Sequence, residues 1–260
     1  SKAGNFQATA KEMDKFRNIS VDAQAQCIKS VVRLFIMRGA RKDTISRSTI
    51  QDVLAKVDPA YKKLYPAVLQ LAHAELKKVF GINLVNSDDI LGMKEPKKDD
   101  FYLTSNTNSL KLRSILARSD KSGAFYGFML IVLHSILMAP GQKLACRDIL
   151  NSVRQLEPRF PLDLVVGKGG SALAVPELGD DFLGLIGRMK KEQYLVSAKD
   201  EVDGSDVSKM IYSFGPRFFV EMGKKQLVVA YFALLGQPVD ISILRDIEQI
   251  APEEEEDEAR

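Results

Sequence analysis

Apolar residues recur along the chain at the i, i+3, i+4 and i+7 spacing of amphipathic helices. The longest apolar run is AFYGFMLIVLHSILM at residues 124–138, and it carries no charged side chain. A helix needs roughly 18 consecutive apolar residues to cross a bilayer, so this run is too short. We therefore predict that residues 124–138 form the central buried helix of a domain, and we expect no membrane partner.

The first half of the chain has the pattern of three helices followed by two short strands. The apolar helix faces are marked by Ile28, Val31, Val32, Phe35 and Ile36, then by Ile50, Val53, Leu54 and Val57, then by Leu69, Ala72, Leu76, Val79 and Phe80. Gly39 ends the first of these helices and Gly81 ends the third, as glycines commonly do. Residues 82–85 and 101–104 are predicted strands, and the charged loop between them contains Gly and Pro.

The second half repeats this order of elements. After the 124–138 helix, a second helix ends before Pro158 and a third is predicted to open at Pro176. Residues 194–197 and 210–214 alternate as strands around an acidic turn. A last helix is marked by Leu227, Val228, Tyr231 and Leu235. Three helices followed by a two-stranded hairpin are typical of a winged helix, so we predict a mainly α protein with small β wings, built as tandem winged-helix domains.

Both ends of the chain are polar. Residues 1–20 carry scattered charges and few apolar positions, which favours a flexible lead-in or a loosely held helix. Residues 251–260, APEEEEDEAR, hold a run of like charges and are predicted to be a disordered tail. The winged-helix domains are predicted at residues 21–120 and 121–250.

The net charge of +3 conceals an uneven distribution. Residues 1–120 contain 21 Lys and Arg against 13 Asp and Glu, a net charge of +8, whereas residues 121–250 contain 15 of each and are neutral. The last ten residues hold six acids and one arginine. A basic excess of this size permits contact with nucleic acid, although a solvated lysine-rich surface has the same composition.

The sequence contains no recognisable catalytic motif. Cys27 and Cys146 lie in apolar helical patterns and are interpreted as buried thiols rather than a disulfide. His73 and His134 also lie in apolar runs, without a Cys or carboxylate at ligand spacing. The GKGG string at residues 167–170 lacks the strand, spacing and following Ser or Thr of a phosphate loop. We predict that the chain is not an enzyme and has no cofactor, metal or small-molecule substrate.

Several strings resemble the MAGE homology domain family, over about residues 25–236. They are VVRLFIMRG at 31–39, YPAVLQLAHAELKKVFGINLV at 65–85, GFMLIVLHSILM at 127–138, the Tyr194-Leu195 pair and YSFGPRFFVEMGKKQLVVAY from Tyr212. The likeness is greatest to the MAGE-type subunits of the Smc five/six DNA-repair complex. Phe35 and Ile36 replace two leucines of the family, and Phe214 replaces its tryptophan. These departures are typical of a distant member, and we expect a fungal one.

The resemblance implies a non-catalytic subunit of the Smc five/six complex, located in the nucleus on chromatin. Such a subunit would bridge a kleisin subunit and a RING-type subunit, contact the SMC proteins indirectly, stimulate the ubiquitin ligase activity of the RING partner, and bind duplex DNA without sequence preference. Two alternatives remain open: a cofactor of a single RING ubiquitin ligase, and a free-standing winged-helix regulator that reads a DNA sequence.

The resemblance also implies two partner interfaces. The RING-partner interface would comprise Leu34, Phe35 and Ile36, and the kleisin groove would comprise Phe128, Ile131, Val132 and Ser135. A helix docks into a groove through exposed apolar side chains at helical spacing. The alternative for both sets is that these residues are simply core.

Cations flanking the second domain's third helix, wing and closing turn are candidate DNA contacts, because lysine and arginine bind phosphates. The predicted DNA-binding residues are Arg188, Lys190, Lys191, Lys209, Arg217, Lys224 and Lys225. Arg217 has an alternative role, tying a turn to a nearby carboxylate. The charge distribution favours instead the first domain, whose cations include Lys62, Lys63, Lys77 and Lys78.

Overall fold

The protein divides into two compact units, Ser1–Ser109 and Leu110–Arg260. The structure is a computed structural model that describes residues 6–39, 44–90, 100–105, 120–161, 175–197, 207–239 and 242–244. Each unit has a separate hydrophobic core. The domain limits at 21–120 and 121–250 stay predictions, and the predicted acidic tail lies outside the described residues.

The first unit has the element order of a winged helix. Its described helices are α1 (Ala10–Arg17), α2 (Val21–Gly39), α3 (Arg47–Ala55) and α4 (Tyr65–Phe80), with a 3-10 helix at Pro59–Leu64 leading into α4. Its described strands are β1 (Ile45–Ser46), β2 (Ile82–Asn86) and β3 (Asp100–Ser105). They form an antiparallel sheet in the order β1-β3-β2, in which Leu84 of β2 faces Leu103 of β3.

Local sequence explains where the first unit's helices begin and end. The Ser46 side chain accepts a hydrogen bond from the Thr49 amide at 3.3 Å and caps α3. Gly81 ends α4 in the left-handed conformation, with φ of 62°, which glycine adopts without a Cβ clash. The predicted helix ends at Gly39 and Gly81 are confirmed.

Of the two alternatives for residues 1–20, the structure has a helix, α1 at Ala10–Arg17, which is capped and packed rather than loosely held. Thr9 and Glu12 form a reciprocal capping box, in which the Thr9 amide donates to the Glu12 carboxylate at 2.8 Å. Phe16 is buried in the first core. The ring of Phe6 packs edge-on against His73 of α4, with 5.1 Å between the centroids. The chain before α2 is thus part of the first core.

The second unit repeats the arrangement and extends it. Its described helices are α5 (Asp120–Met138), α6 (Cys146–Leu156), α7 (Phe182–Lys191), α8 (Pro216–Glu221) and α9 (Gly223–Leu234). Its described strands are β4 (Leu144–Ala145), β5 (Leu195–Ser197) and β6 (Ile211–Phe214), in the sheet order β4-β6-β5. Both sheets are antiparallel and place their last strand in the middle.

The second unit differs from the prediction in the start of one helix and in the presence of another. Pro176 opens only a short 3-10 helix, and α7 begins at Phe182, because the Asp181 carboxylate caps it by accepting from the Gly184 amide at 2.7 Å. The prediction also missed α8, which starts at Pro216 directly after β6. The predicted linking helix at 110–116 and the predicted turn at 199–206 lie outside the described residues.

The α5 helix is the centre of the second core, as predicted. It packs against α6 and α9. Its buried residues are Phe125, Phe128, Met129, Val132, Leu133, Ile136 and Leu137. None of the helices in the described part of the chain is both long enough and apolar enough to cross a membrane. The predicted fold class, mainly helical with small antiparallel wings, is confirmed.

Candidate functional site

The α7 helix places a cluster of cations on the second unit. Its apolar residues Leu185, Ile186 and Met189 are buried, so its polar positions face away from the core. Arg188, Lys190 and Lys191 occupy its last turn. Cations are favourable there because the carbonyl end of a helix carries partial negative charge.

These three cations differ in how firmly they are held. The Arg188 guanidinium lies 3.7 Å from the ring centroid of Phe125, and its Nε donates to Glu192 at 2.9 Å. The Lys190 ammonium lies 5.8 Å from the ring centroid of Tyr212, and Lys191 is exposed. Arg188 is therefore held on the surface by a ring and a carboxylate, whereas Lys190 is half-buried beside Tyr212 and Lys191 is exposed.

Three further predicted cations lie on later elements. Lys209 is exposed and precedes β6. Lys224 and Lys225 lie in the first turn of α9. Lys225 is exposed, whereas Lys224 is half-buried and burial lowers the pKa of its ammonium group. The exposed lysines keep the solvent access that a phosphate contact requires.

Arg217 must be removed from the predicted DNA-binding set. Only 3% of its surface is exposed. Its Nε donates to the Glu192 carbonyl at 2.9 Å, and its Nη1 donates to Glu221 Oε1 at 2.7 Å. The hydroxyl of Tyr194 donates to the other oxygen of the Glu221 carboxylate. Burial, followed by the Glu221 charge, raises the pKa of Tyr194, so Tyr194 stays a neutral donor. Arg217 has the alternative role, tying a turn to a carboxylate.

The glycine and proline before Arg217 complete this attachment. A Cβ on Gly215 would collide with the backbone carbonyl of Gln193, so only glycine fits the close approach. The Gly215 amide donates to the Tyr194 carbonyl at 2.8 Å, and Pro216 starts α8. The Gly-Pro-Arg string therefore fastens α8 to the turn that follows α7. We call residues 215–217 with Glu221 the α8 clamp.

The predicted RING-partner interface is only partly on the surface. Phe35 is fully buried, with its ring in an edge-on contact with Phe101, so its assignment to the interface is corrected to core. Leu34 and Ile36 are half-buried and pack against the first core. Met37, which the sequence prediction left out, has 56% of its surface exposed. Met37 directly follows the three predicted residues, and its apolar side chain is the signal that the sequence prediction overlooked.

The predicted kleisin groove requires the same correction. Phe128 is 4% exposed and Val132 is fully buried, so both belong to the second core. Ile131 and Ser135 are half-buried, and the Ser135 hydroxyl donates to the Ile131 carbonyl at 2.8 Å. Tyr126 also lies on α5 and is 43% exposed, although the sequence prediction left it out.

The histidines and cysteines are buried or partly buried in the two cores. Burial lowers the pKa of His73 and of His134, which favours their neutral forms. The imidazole of His134 stacks on the ring of Tyr231 at 3.6 Å, which joins α5 to α9. Cys27 is buried in the first unit. Over the ranges that the structure describes, no three His, Cys, Asp or Glu residues gather in a way that could hold a metal ion.

The chain consists of two winged helices, each with exposed lysines and exposed apolar side chains. The sequence pattern of the MAGE homology domain matches residues 31–225, and the chain belongs to the MAGE homology domain family. The proteins of this family are non-catalytic, so the chain belongs to a non-enzymatic class.

A solved structure has the same fold. It is described as the "Nse1-Nse3-Nse4 complex", and one of its chains is 18% identical to this protein with a TM-score of 0.63. The match covers 89% of this chain and 98% of that chain. No curated protein matches the sequence. The predicted fungal origin stays a prediction.

Proposed function

We propose that this protein is a non-catalytic MAGE-type subunit of an Smc five/six complex, located in the nucleus on chromatin. It joins a RING-type subunit to a kleisin subunit, stimulates the ligase activity of the RING partner and binds duplex DNA without sequence preference. The observation that carries this proposal is the MAGE family match together with the fold likeness to a chain of the "Nse1-Nse3-Nse4 complex", which extends over 98% of that chain.

The RING-type subunit docks on α2 of the first unit. Leu34 and Ile36 keep part of their apolar surface in solvent, and Met37 extends the apolar surface beyond them. Phe35 supports this surface from the core. An apolar surface of this kind is favourable for a partner because association removes it from water.

The kleisin docks on the second unit along α5. Ile131 and Ser135 are one helical turn apart and half-buried, so each keeps part of its surface available to a partner on one side of α5. Tyr126 supplies an exposed aromatic ring on the same helix. An amphipathic kleisin helix would lay apolar side chains against the face that carries Ile131 and Ser135, whereas Tyr126 lies on another side of α5.

Duplex DNA binds through the lysines at the end of α7. The third helix of a winged helix is the element that enters the groove, and Lys190 and Lys191 occupy its last turn. Lysines that bind phosphates supply affinity without reading bases, which accounts for binding without sequence preference.

The assembly is tested by affinity purification of this chain from its native cells at two salt concentrations, with identification of the copurifying proteins. We expect SMC proteins, a kleisin and a RING protein to be retained together at the higher salt. Recovery of a single RING ligase would establish the ligase-cofactor alternative instead. Recovery of no stable protein partner would leave the sequence-reading regulator.

DNA binding is tested with the variant Lys190→Glu/Lys191→Glu in the full chain. The slope of log affinity against log salt is negative, and each lost phosphate contact makes it less steep by about 0.9, so loss of the pair makes it less steep by about 1.8. A matched control, Lys11→Glu/Lys15→Glu, makes the same charge change on exposed lysines of α1. Fluorescence anisotropy with two unrelated duplexes measures the salt dependence of the affinity and the preference for one sequence over the other. An unchanged slope, or a strong preference for one duplex, would contradict the proposal.

A further inference from the structure

The third helices of the two winged helices end in the same way. The buried Leu76 of α4 and the buried Met189 of α7 are each followed directly by two lysines. In α4 the carbonyl of Leu76 accepts from the amide of Gly81, five residues later. In α7 the carbonyl of Met189 accepts from the amide of Tyr194, also five residues later.

The strands that follow confirm this correspondence. β2 starts at Ile82 and β5 starts at Leu195, so each lysine pair lies four and five residues before its strand. Lys77 and Lys78 therefore hold in the first unit the positions that Lys190 and Lys191 hold in the second. A winged helix places these positions beside the nucleic-acid groove that its third helix enters.

The first pair is accessible to a phosphate ligand, because Lys77 and Lys78 are exposed. Lys62 and Lys63 are also exposed, but they lie on the 3-10 helix before α4, at the opposite end of that 16-residue helix. Lys62 lies 3.4 Å from Asp52, which neutralises part of that charge. Glu75 is an exposed acid on α4 itself.

The charge of the whole half-chain supports the same ligand. Residues 1–120 have a net charge of +8, whereas residues 121–250 are neutral. Excess positive charge raises the local concentration of a polyanion and speeds its association. The half of the chain with this excess thus contains a lysine pair at the position equivalent to the proposed α7 contact.

We infer that the first winged helix carries a second contact site for the phosphate backbone of duplex DNA, centred on Lys77 and Lys78, an inference that rests on the proposed DNA binding. The site binds phosphates and not base edges, because its contacting groups are lysine ammonium ions. Two such sites on one chain increase the affinity for a duplex that can reach both, since binding at one raises the effective concentration at the other.

The test compares three variants of the full chain: Lys77→Glu/Lys78→Glu, Lys190→Glu/Lys191→Glu, and the control Lys11→Glu/Lys15→Glu. Anisotropy with one long duplex is measured over a series of salt concentrations. We expect the α4 variant to make the slope of log affinity against log salt less steep by about 1.8, as the loss of two phosphate contacts does. An α4 variant that behaves like the α1 control overturns the inference.

The same experiment separates this inference from the proposed function. Weaker DNA binding in the α4 variant alone supports the site on the first winged helix and refutes the one on α7. Weaker DNA binding in the α7 variant alone supports the site on α7 and refutes the one on the first winged helix. Loss in both, with a further loss when the four substitutions are combined, supports two sites. Lys190 is half-buried and the other substituted lysines are exposed, so circular dichroism is used to check that each variant keeps its fold.

A second measurement needs no substitution. The chain is treated with an amine-acetylating reagent with and without the duplex, and modified lysines are located by mass spectrometry. We expect the duplex to protect Lys77 and Lys78, whereas Lys11 and Lys15 react equally in both samples. Equal modification of all four lysines in the two samples overturns the inference.

Discussion

Arg217 and Arg188 each form an ion pair with a glutamate four residues later, yet their surroundings differ. The Arg217 side chain is 4% exposed and bonds to Glu221 at 2.7 Å. The Arg188 side chain is 46% exposed and bonds to Glu192 at 2.9 Å. A buried charge that loses its partner is costly, whereas an exposed one is stabilised by water. The same sequence spacing therefore has different energetic weight at the two positions.

We expect Arg217→Gln to lower the free energy of unfolding by about 3–5 kcal/mol, because it leaves Glu221 charged and partly buried without its cation. The matched control Arg188→Gln breaks an ion pair whose arginine is 46% exposed, although Glu192 is only 15% exposed, and it also removes a ring contact; it should cost less, about 1–2 kcal/mol, because water still reaches the arginine site. Urea denaturation followed by circular dichroism measures both. Equal losses would show that the α8 clamp contributes no more than a surface ion pair.

Gly215 and Gly187 provide a second comparison at single positions. Gly215→Ala should destabilise the protein by about 1–3 kcal/mol, because its Cβ meets the backbone of Gln193 and the chain must shift. Gly187 lies inside α7, and a Cβ there would meet nothing within 4 Å beyond the helix's own backbone. Gly187→Ala should therefore stabilise by about 0.5–1 kcal/mol. Thermal unfolding distinguishes the two signs. A neutral Gly215→Ala would contradict the close approach.

The sequence pattern identified the Gly-Pro-Arg string but left the role of Arg217 open. The Nε of Arg217 donates to the carbonyl of Glu192, which is 25 residues away along the chain. Periodicity and local motifs carry no information about such a partner. Phe35 and Val132 illustrate the same limit, since helical spacing identifies an apolar face without showing whether a partner or the core covers it.

At the level of elements, the long periodic helices were predictable and the smallest elements were not. α2, α4 and α5 carry enough apolar positions to define a face, and glycine or proline marks their ends. β1 and β4 have only two residues each and form because β3 and β6 offer unpaired backbone groups. No alternation can be detected over two residues, so the sequence alone does not reveal these strands.

The firm packing of α1 could not be read from the sequence, because most of its residues are polar and its packing depends on one aromatic ring. We expect Phe16→Ala to lower the free energy of unfolding by about 3–5 kcal/mol, as loss of a buried phenylalanine does. The neighbouring Arg17→Ala removes only an exposed pair with Asp14 at 3.7 Å and should cost under about 0.5 kcal/mol. Chemical denaturation tests the pair. Near-zero effects of both substitutions would contradict the packing of α1 against the first core.

For the whole molecule, the two cores share no residue, so each unit contains the apolar packing that it needs. We expect the fragments 1–109 and 110–260 to fold separately. Amide NMR spectra of the fragments should overlay on that of the full chain at most positions, and each fragment should unfold cooperatively. A fragment without a cooperative transition would show that its core depends on the other unit.

The distribution of charge over the whole molecule was visible in the sequence, whereas the access of each cation was not. The pattern indicated cation sets in both halves, and the structure then showed that Arg217 is buried and Arg188 is held by Phe125. Only the fold could show that the lysine pairs of α4 and α7 occupy equivalent positions, because the correspondence depends on where β2 and β5 start.

The sheet order β1-β3-β2 has a consequence for synthesis on the ribosome. β1 follows α2 but pairs with β3, the last strand of the first unit, and β4 has the same relation to β6. The hairpin partners β2 and β3 are closer in sequence, so their pairing closes a shorter loop than the pairing of β1. Neither sheet can be completed until its last strand has left the exit tunnel. The early helices of each unit must therefore wait, partly unpacked, while the rest of the domain is translated.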